Sequence, residues 1–288
     1  MFNNKFGMAL AGATDLSLEE NVSELARAGF VSSFFGWNED IDPFERAKIF
    51  EKNHIELDNL HAPFKGLNCI WRDGPEGDDY VAYLSRCIDD AAALHIPHVI
   101  MHPVCGEDFP LSSLVGIERY KKLVDHSLEK GVKICFENVE YTEMLGIVMA
   151  EFGKDVGFCY DVGHESTNDP GMRFLKLFGD RLCCTHIHDN YGISYLVTPV
   201  LHGDCHMIPL DATIDFRRVM KDIRDTGYEG VLMLECSRGH SCVRTYLDIS
   251  VREYYERAYA ALSEIASYGV EKLSGSEDDE GWSAIYRP

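Results

Sequence analysis

Short apolar runs alternate along this chain with longer segments whose apolar residues recur at helical spacing. Glycine, proline and asparagine punctuate them. The pattern predicts strands at Lys5–Leu10, Phe30–Phe35, Ile55–His61, His98–His102, Val132–Glu137, Val156–Asp161, Leu182–His188 and Val231–Glu235. Helices are expected at Ser17–Gly29, Pro43–Asn53, Tyr80–Leu94, Leu111–Lys130, Thr142–Phe152, Pro170–Phe178, Ile214–Thr226 and Val243–Tyr268. Ser17 and Glu20 have the spacing of a capping box, and Gly131 is placed to close the helix before it. Strands and helices alternating in this way predict an α/β chain folded as a (β/α)8 TIM barrel. A doubly wound open sheet is the competing arrangement, but no glycine-rich phosphate loop follows the first strand. The barrel is expected to occupy residues 1–268 as one domain. Residues 269–288, acidic and rich in glycine and serine at first, are expected to form a partly mobile tail that Trp282 and Tyr286 could dock.

Composition narrows the class. The chain has 288 residues, 45% of them hydrophobic, and a formal net charge of −21. Strong negative charge argues against a nucleic-acid backbone as partner. No apolar run reaches the roughly 18 residues of a membrane span, and the N-terminus lacks a signal-peptide core. A cytoplasmic protein without a membrane partner is therefore expected. The ten cysteines are scattered, with no CxxC pair, and are expected to be buried free thiols.

Candidate chemistry gathers where a barrel carries its active site, at the C-terminal ends of the strands. From the third strand to the eighth, the last residues are His61, His102, Glu137, Asp161, His188 and Glu235. His164 follows Asp161 by three residues, and Asp204 and His206 lie in the seventh loop. His186 and His188 share a face of their strand, because side chains alternate. Imidazoles mixed with carboxylates suit Zn, Mn, Co or Mg, and the residues do not choose among them. Trp71 and Trp37 could each stack on a sugar ring or seal a helix–barrel contact. Arg238 could bind a carboxylate or phosphate, or form a surface ion pair. The Asp189–Pro209 loop is long enough to act as a lid.

The motifs FENVE, YDVGH, HIHDN and DCHMIP…TIDF, in this order, resemble those of the xylose-isomerase-like barrel superfamily. That group includes sugar epimerases and isomerases, inosose dehydratases and endonuclease IV. The resemblance implies a metal held by Glu137, Asp161, His188 and Glu235, with Glu137 and Glu235 also acting as acid and base on a small sugar or polyol. It further implies that His61, His102, His164, Asp204 and His206 could complete a site for up to three metals, and that the protein could form homo-oligomers. The leading expectation is a metal-dependent sugar isomerase or epimerase. The alternative is a zinc-dependent phosphodiesterase or abasic-site endonuclease. Val139 replaces the lysine of true xylose isomerases, and no arginine follows HIHDN, as one does in ketose 3-epimerases.

Overall fold

In the computed structural model, the described residues are 4–106, 108–192, 204–239 and 246–268. The strands are β1 Phe6–Met8, β2 Ser32–Gly36, β3 Glu56–His61, β4 His98–Met101, β5 Lys133–Glu137, β6 Gly157–Asp161, β7 Leu182–His186 and β8 Leu232–Leu234. All pair in parallel, in the order β7-β6-β5-β4-β3-β2-β1-β8. The helices are α1 Leu18–Arg27, α2 Pro43–Lys52, α3 Pro75–Ala93, α4 Leu114–Lys130, α5 Thr142–Phe152, α6 Val162–Asn168, α7 Phe174–Phe178, α8 Phe216–Asp225 and α9 Val251–Ser267. The expected TIM barrel is the fold. The tail, with Trp282 and Tyr286, lies outside the described residues.

Local chemistry sets the helix starts. The Ser17 and Glu20 capping box opens α1, and Asp42 with Pro43 opens α2. Gly131, at φ 72°, ends α4 in the left-handed conformation that glycine adopts without steric cost. Several boundaries differ from the pattern's expectation. Pro75 starts α3 upstream of Tyr80, because a proline in the first turn loses no hydrogen bond. Ser113 caps α4, so Leu111 stays outside it. Ser250 caps α9, so this helix begins at Val251 rather than Val243. Tyr246 precedes α9 as a buried loop residue, its hydroxyl donating to Asp211 and accepting from the Ile208 N–H. The DVGH turn is helical: Asp161 caps α6 by accepting the His164 N–H.

Two kinds of core result. The large one lies between the sheet and the helical shell, from Val22 and Phe50 through Leu84, Tyr120 and Phe158 to Tyr254 and Leu262. Inside the barrel, Ile100, Cys135, Cys159 and Cys184 form one small cluster, and Phe34, Val231 and Met233 another. Alternation then sends Glu137, Asp161 and His186, two residues beyond Cys135, Cys159 and Cys184, to the same interior face at the mouth. Among the described residues eight cysteines are free thiols, five of them buried as expected, whereas Cys205 is disulfide-bonded.

The barrel closes at β7 and β8 with little ladder. The Ile187 N–H donates to the Met233 carbonyl, and the Glu235 N–H donates to Ile187. Below them Thr185 substitutes a side chain for backbone: its hydroxyl donates to the Val231 carbonyl and accepts the Met233 N–H, both at 3.1 Å. Both backbone groups are buried, so losing the hydroxyl leaves them without that partner. We expect Thr185→Val to lower the unfolding free energy by about 1–3 kcal/mol, read from the midpoint and slope of urea denaturation.

Candidate metal centre at the barrel mouth

His61, Glu137, Asp161 and His186 are the last residues of β3, β5, β6 and β7. His102 and Glu235 each stand one residue past β4 and β8. His188, expected as the last residue of its strand, lies two residues beyond β7. Ile187 between them is tied to β8, so His186 and His188 both face inward at successive heights.

These side chains form three adjoining groups. His61 Nε2 and His102 Nε2 lie 3.3 and 3.2 Å from Glu137 Oε2. On the other side of that carboxylate, His186 Nδ1 is 3.1 Å from Glu137 Oε1, 3.3 Å from Glu235 Oε2 and 3.9 Å from Asp161 Oδ2. The third group contains His164, His188, Asp204 and His206. In it His206 Nε2 is 3.2 Å and His164 Nε2 3.5 Å from Asp204 Oδ2. His188 Nε2 bridges to Asp161 at 3.1 Å and to Asp204 at 3.8 Å. The structure therefore differs from the set implied by resemblance: His186, not His188, sits with Glu137, Asp161 and Glu235. The signal was present in HIHDN, where both histidines share a strand face, but spacing alone does not say which height a site occupies.

Neighbouring residues hold the groups in place, and several of these escaped the sequence reading. The Asn138 side chain both donates to and accepts from the Asp161 backbone, at 2.8 Å each way. The Asn138 carbonyl lies 2.9 Å from His164 Nδ1. At Gly163 a β-carbon would come within 1.9 Å of the His188 ring, so only glycine leaves room for that imidazole. Asp189 and Met207 exchange backbone hydrogen bonds of 2.8 Å, which brings the far end of the seventh loop back against β7. The buried Asp189 carboxylate accepts N–H groups from Asn190, Ala212 and Ile214. His206 adopts φ 45° and places Nδ1 2.7 Å from the Glu235 carbonyl. Phe34 stacks on His186 and Phe64 on His102, at ring separations of 5.0 and 4.7 Å. Of the Asp189–Pro209 loop, expected to act as a lid, residues 193–203 lie outside the described residues.

Charge is concentrated here. Burial raises the Glu137 pKa, yet His186, His102 and His164 outweigh it and hold the carboxyl well below its usual range. Burial likewise opposes ionisation of Asp161 and Asp204, and the imidazoles around each pull it below its usual range. Burial disfavours charge on His186 and His206, but Glu235 and Glu137 push the first to about 9, and Asp204 pushes the second to about 10. Burial, helped by the neighbouring His61 and His164, carries His102 down against the pull of Glu137. Among the described residues, Glu137, Asp161 and Glu235 are ion-paired to histidines and to no lysine or arginine. Buried His102 Nδ1, His186 Nε2 and His188 Nδ1 have no hydrogen-bond partner. Carboxylates and imidazoles converging without a fixed cation are a donor set that fits divalent metal ions.

Trp71, Trp37 and Arg238, expected as candidates for substrate or structural contacts, are all packed into the structure. Trp71 is 2% exposed; its indole donates to the Pro103 carbonyl and its ring packs on Tyr120 and against Gly116. It seals the helix–barrel contact and has no face left for a sugar. Trp37 is buried in the same way, donating to Asp90. The Arg238 guanidinium, also buried, donates to the carbonyls of Ala13, Leu247 and Ile249 and latches the first and eighth loops together.

A family model described as a xylose isomerase-like TIM barrel matches residues 24–268. Uncharacterized protein y4fM of Sinorhizobium fredii is 31% identical over 195 residues, covering 62% of this chain and 58% of that protein. The match therefore spans less than two thirds of that relative's length. An inosose dehydratase of Klebsiella pneumoniae is 24% identical over 255 residues, covering 77% of this chain and 83% of the relative. Among solved structures, a D-psicose 3-epimerase determined in the presence of D-fructose superposes with a TM-score of 0.70 at 14% identity, over 92% of this chain and all of the other. IolI with a bound zinc atom superposes at 0.71 and 18% identity, over 91% and 99% of the two chains. At these identities the superpositions speak to fold.

The charge arrangement has a pH signature in metal-free protein. His186 and His206 are more basic folded than unfolded, where 6.5 applies. Their contribution to stability is full below about pH 6.5 and disappears as the pH rises through about 9 to 10. The depressed carboxylates act oppositely, contributing above their unfolded pKa and losing that contribution in acid. Chelator-treated protein should therefore melt at the highest temperature between roughly pH 5 and 6.5 and lose stability toward pH 10. Restoring divalent metal should flatten the alkaline limb, as followed by thermal melting across pH.

Proposed function

Because this chain belongs to the xylose isomerase-like TIM-barrel family, we propose that it is a divalent-metal-dependent enzyme acting on a small keto-sugar or keto-polyol by removing a proton next to a carbonyl. One observation carries this reading: Glu137, Asp161, His186 and Glu235 converge within 4.8 Å at the mouth. The Glu235 side chain is 20% exposed, while the other three are essentially buried. A metal held by these four supplies positive charge where negative charge develops on the substrate oxygens. Glu235 is the carboxylate with access to substrate, and in this reading it takes the proton. Glu137 has one oxygen against His61 and His102 and the other against His186 and His164. It serves as a holding group, which departs from a mechanism with paired glutamates as acid and base. Buried Phe34 and half-exposed Phe64 hold His186 and His102 by stacking.

Return of the proton to the opposite face is epimerisation, and loss of the neighbouring hydroxyl is dehydration. Both begin with the same abstraction. The names of the similar proteins, a 3-epimerase and an inosose dehydratase, support this common first step.

A second reading, hydrolysis of a phosphate ester, is favoured by the two further ligand groups. Three adjoining groups suit several metals that activate water and bind phosphate oxygens without a basic cradle.

On a keto-polyol panel in heavy water, Glu235→Gln should reduce substrate proton exchange by about 10²- to 10⁴-fold; unchanged exchange excludes Glu235 as the base. His186→Ala should lose the metal of the central group, whereas His188→Ala should keep it, as read by elemental analysis. Metal-dependent cleavage of an abasic duplex or a simple phosphodiester, with no exchange on any keto-polyol, would put the second reading first.

A further inference from the structure

A second cluster of metal-ligating side chains lies deeper inside the barrel, below the mouth. His98 opens β4, Cys135 stands two residues below Glu137 on β5, and Cys184 stands two below His186 on β7. One ligand atom from each falls within 4.8 Å of the others. At about 3.3 Å per residue, this cluster sits about 7 Å down the strands from the mouth.

Three features exceed what core packing asks for. First, Gly157 on β6 leaves a gap: a β-carbon there would lie 2.7 Å from Cys183 Sγ and 2.8 Å from Cys135 Sγ. Two sulfurs from non-adjacent strands therefore meet across a position kept empty. Second, β7 carries a bulge, since Phe158 pairs with Leu182 but Cys159 with Cys184, and Cys183 is the extra residue. In a regular strand Cys183 and Cys184 would face opposite sides; here the Cys135 thiol is within hydrogen-bonding reach of both. Third, His98 Nδ1 lies 3.3 Å from the Asp58 carbonyl. That bond fixes the tautomer with a lone pair on Nε2, the arrangement typical of a metal-bound imidazole. His98 and Cys183 are partly exposed, which leaves a path from solvent.

We propose that His98, Cys135 and Cys184 form a sulfur-containing site for zinc or another thiophilic divalent ion. An imidazole and two thiolates are donors that zinc accepts. Such an ion would cross-link β4, β5 and β7 inside the barrel, below the mouth.

Cobalt titration of the whole, metal-stripped chain tests this. Sulfur-to-cobalt charge transfer in the near ultraviolet is expected, and it should persist in Glu235→Gln, which alters only the mouth. The band should vanish in Cys135→Ser/Cys184→Ser. Should that variant not fold, His98→Ala replaces a partly exposed ligand and should weaken cobalt binding at this band by about tenfold or more. Zinc-edge X-ray absorption on protein as purified should include sulfur neighbours. No sulfur band in folded wild-type protein, a band surviving loss of Cys135 and Cys184, or unchanged affinity in His98→Ala would each overturn the proposal.

Discussion

The mouth of this barrel gathers carboxylates and imidazoles so closely that neither kind of group is stable there without the other. Glu137 is the hinge of the arrangement. It is essentially buried, and each of its oxygens faces different histidines. A lone buried carboxylate would pay a large desolvation cost and take up a proton. Surrounded by imidazoles it stays ionised and raises the basicity of His186 in return. The positions of Asp161, His164, Asp204 and His206 extend the same compensation across the mouth.

The backbone is built to hold these positions. Parallel strands bring residues from β3 to β8 to one end, and the loops add only what strand geometry cannot reach. Asn138 ties β5 to β6, and Asp189 ties the far end of the seventh loop to β7. Gly163 clears the space that His188 fills. At the β7–β8 seam Thr185 replaces missing ladder hydrogen bonds with its hydroxyl, so the strands that carry His186 and Glu235 stay in register where pairing is sparse.

Two levels of the barrel interior differ in hardness. Oxygen and nitrogen donors crowd the C-terminal end, while sulfur gathers around His98 below the mouth. Ile100 and Cys159 stand level with Cys135 and Cys184 and pack with them in one apolar cluster. Strand alternation alone links these levels, since Cys135 and Glu137, or Cys184 and His186, share one face. The mouth recruits ligands from loops as well as strands, whereas the lower level depends on a bulge and a missing side chain.

Periodicity by itself determined the barrel, because period-two apolar runs and helical spacing depend on neighbouring residues only. It also placed His61, Glu137 and Asp161 at strand ends, since each closes an apolar run before a breaker. Capping chemistry located helix starts where Ser17, Glu20 and Pro43 announce them. Tertiary structure decided the rest. His186 and His188 are equivalent by alternation, and only the tie of Ile187 to β8 sets which height each occupies. Trp71 and Arg238 are ambiguous as residue types, and what packs against them assigned both to structure. The start of α9 followed from the Ser250 cap while Tyr246 was buried in the loop before it. Cys183 and Cys184 look like ordinary core residues until a bulge on one strand and a glycine on its neighbour bring their sulfurs toward Cys135. Patterns along the chain report which face a residue takes; distances between strands depend on register and closure, which many residues far apart in sequence set together.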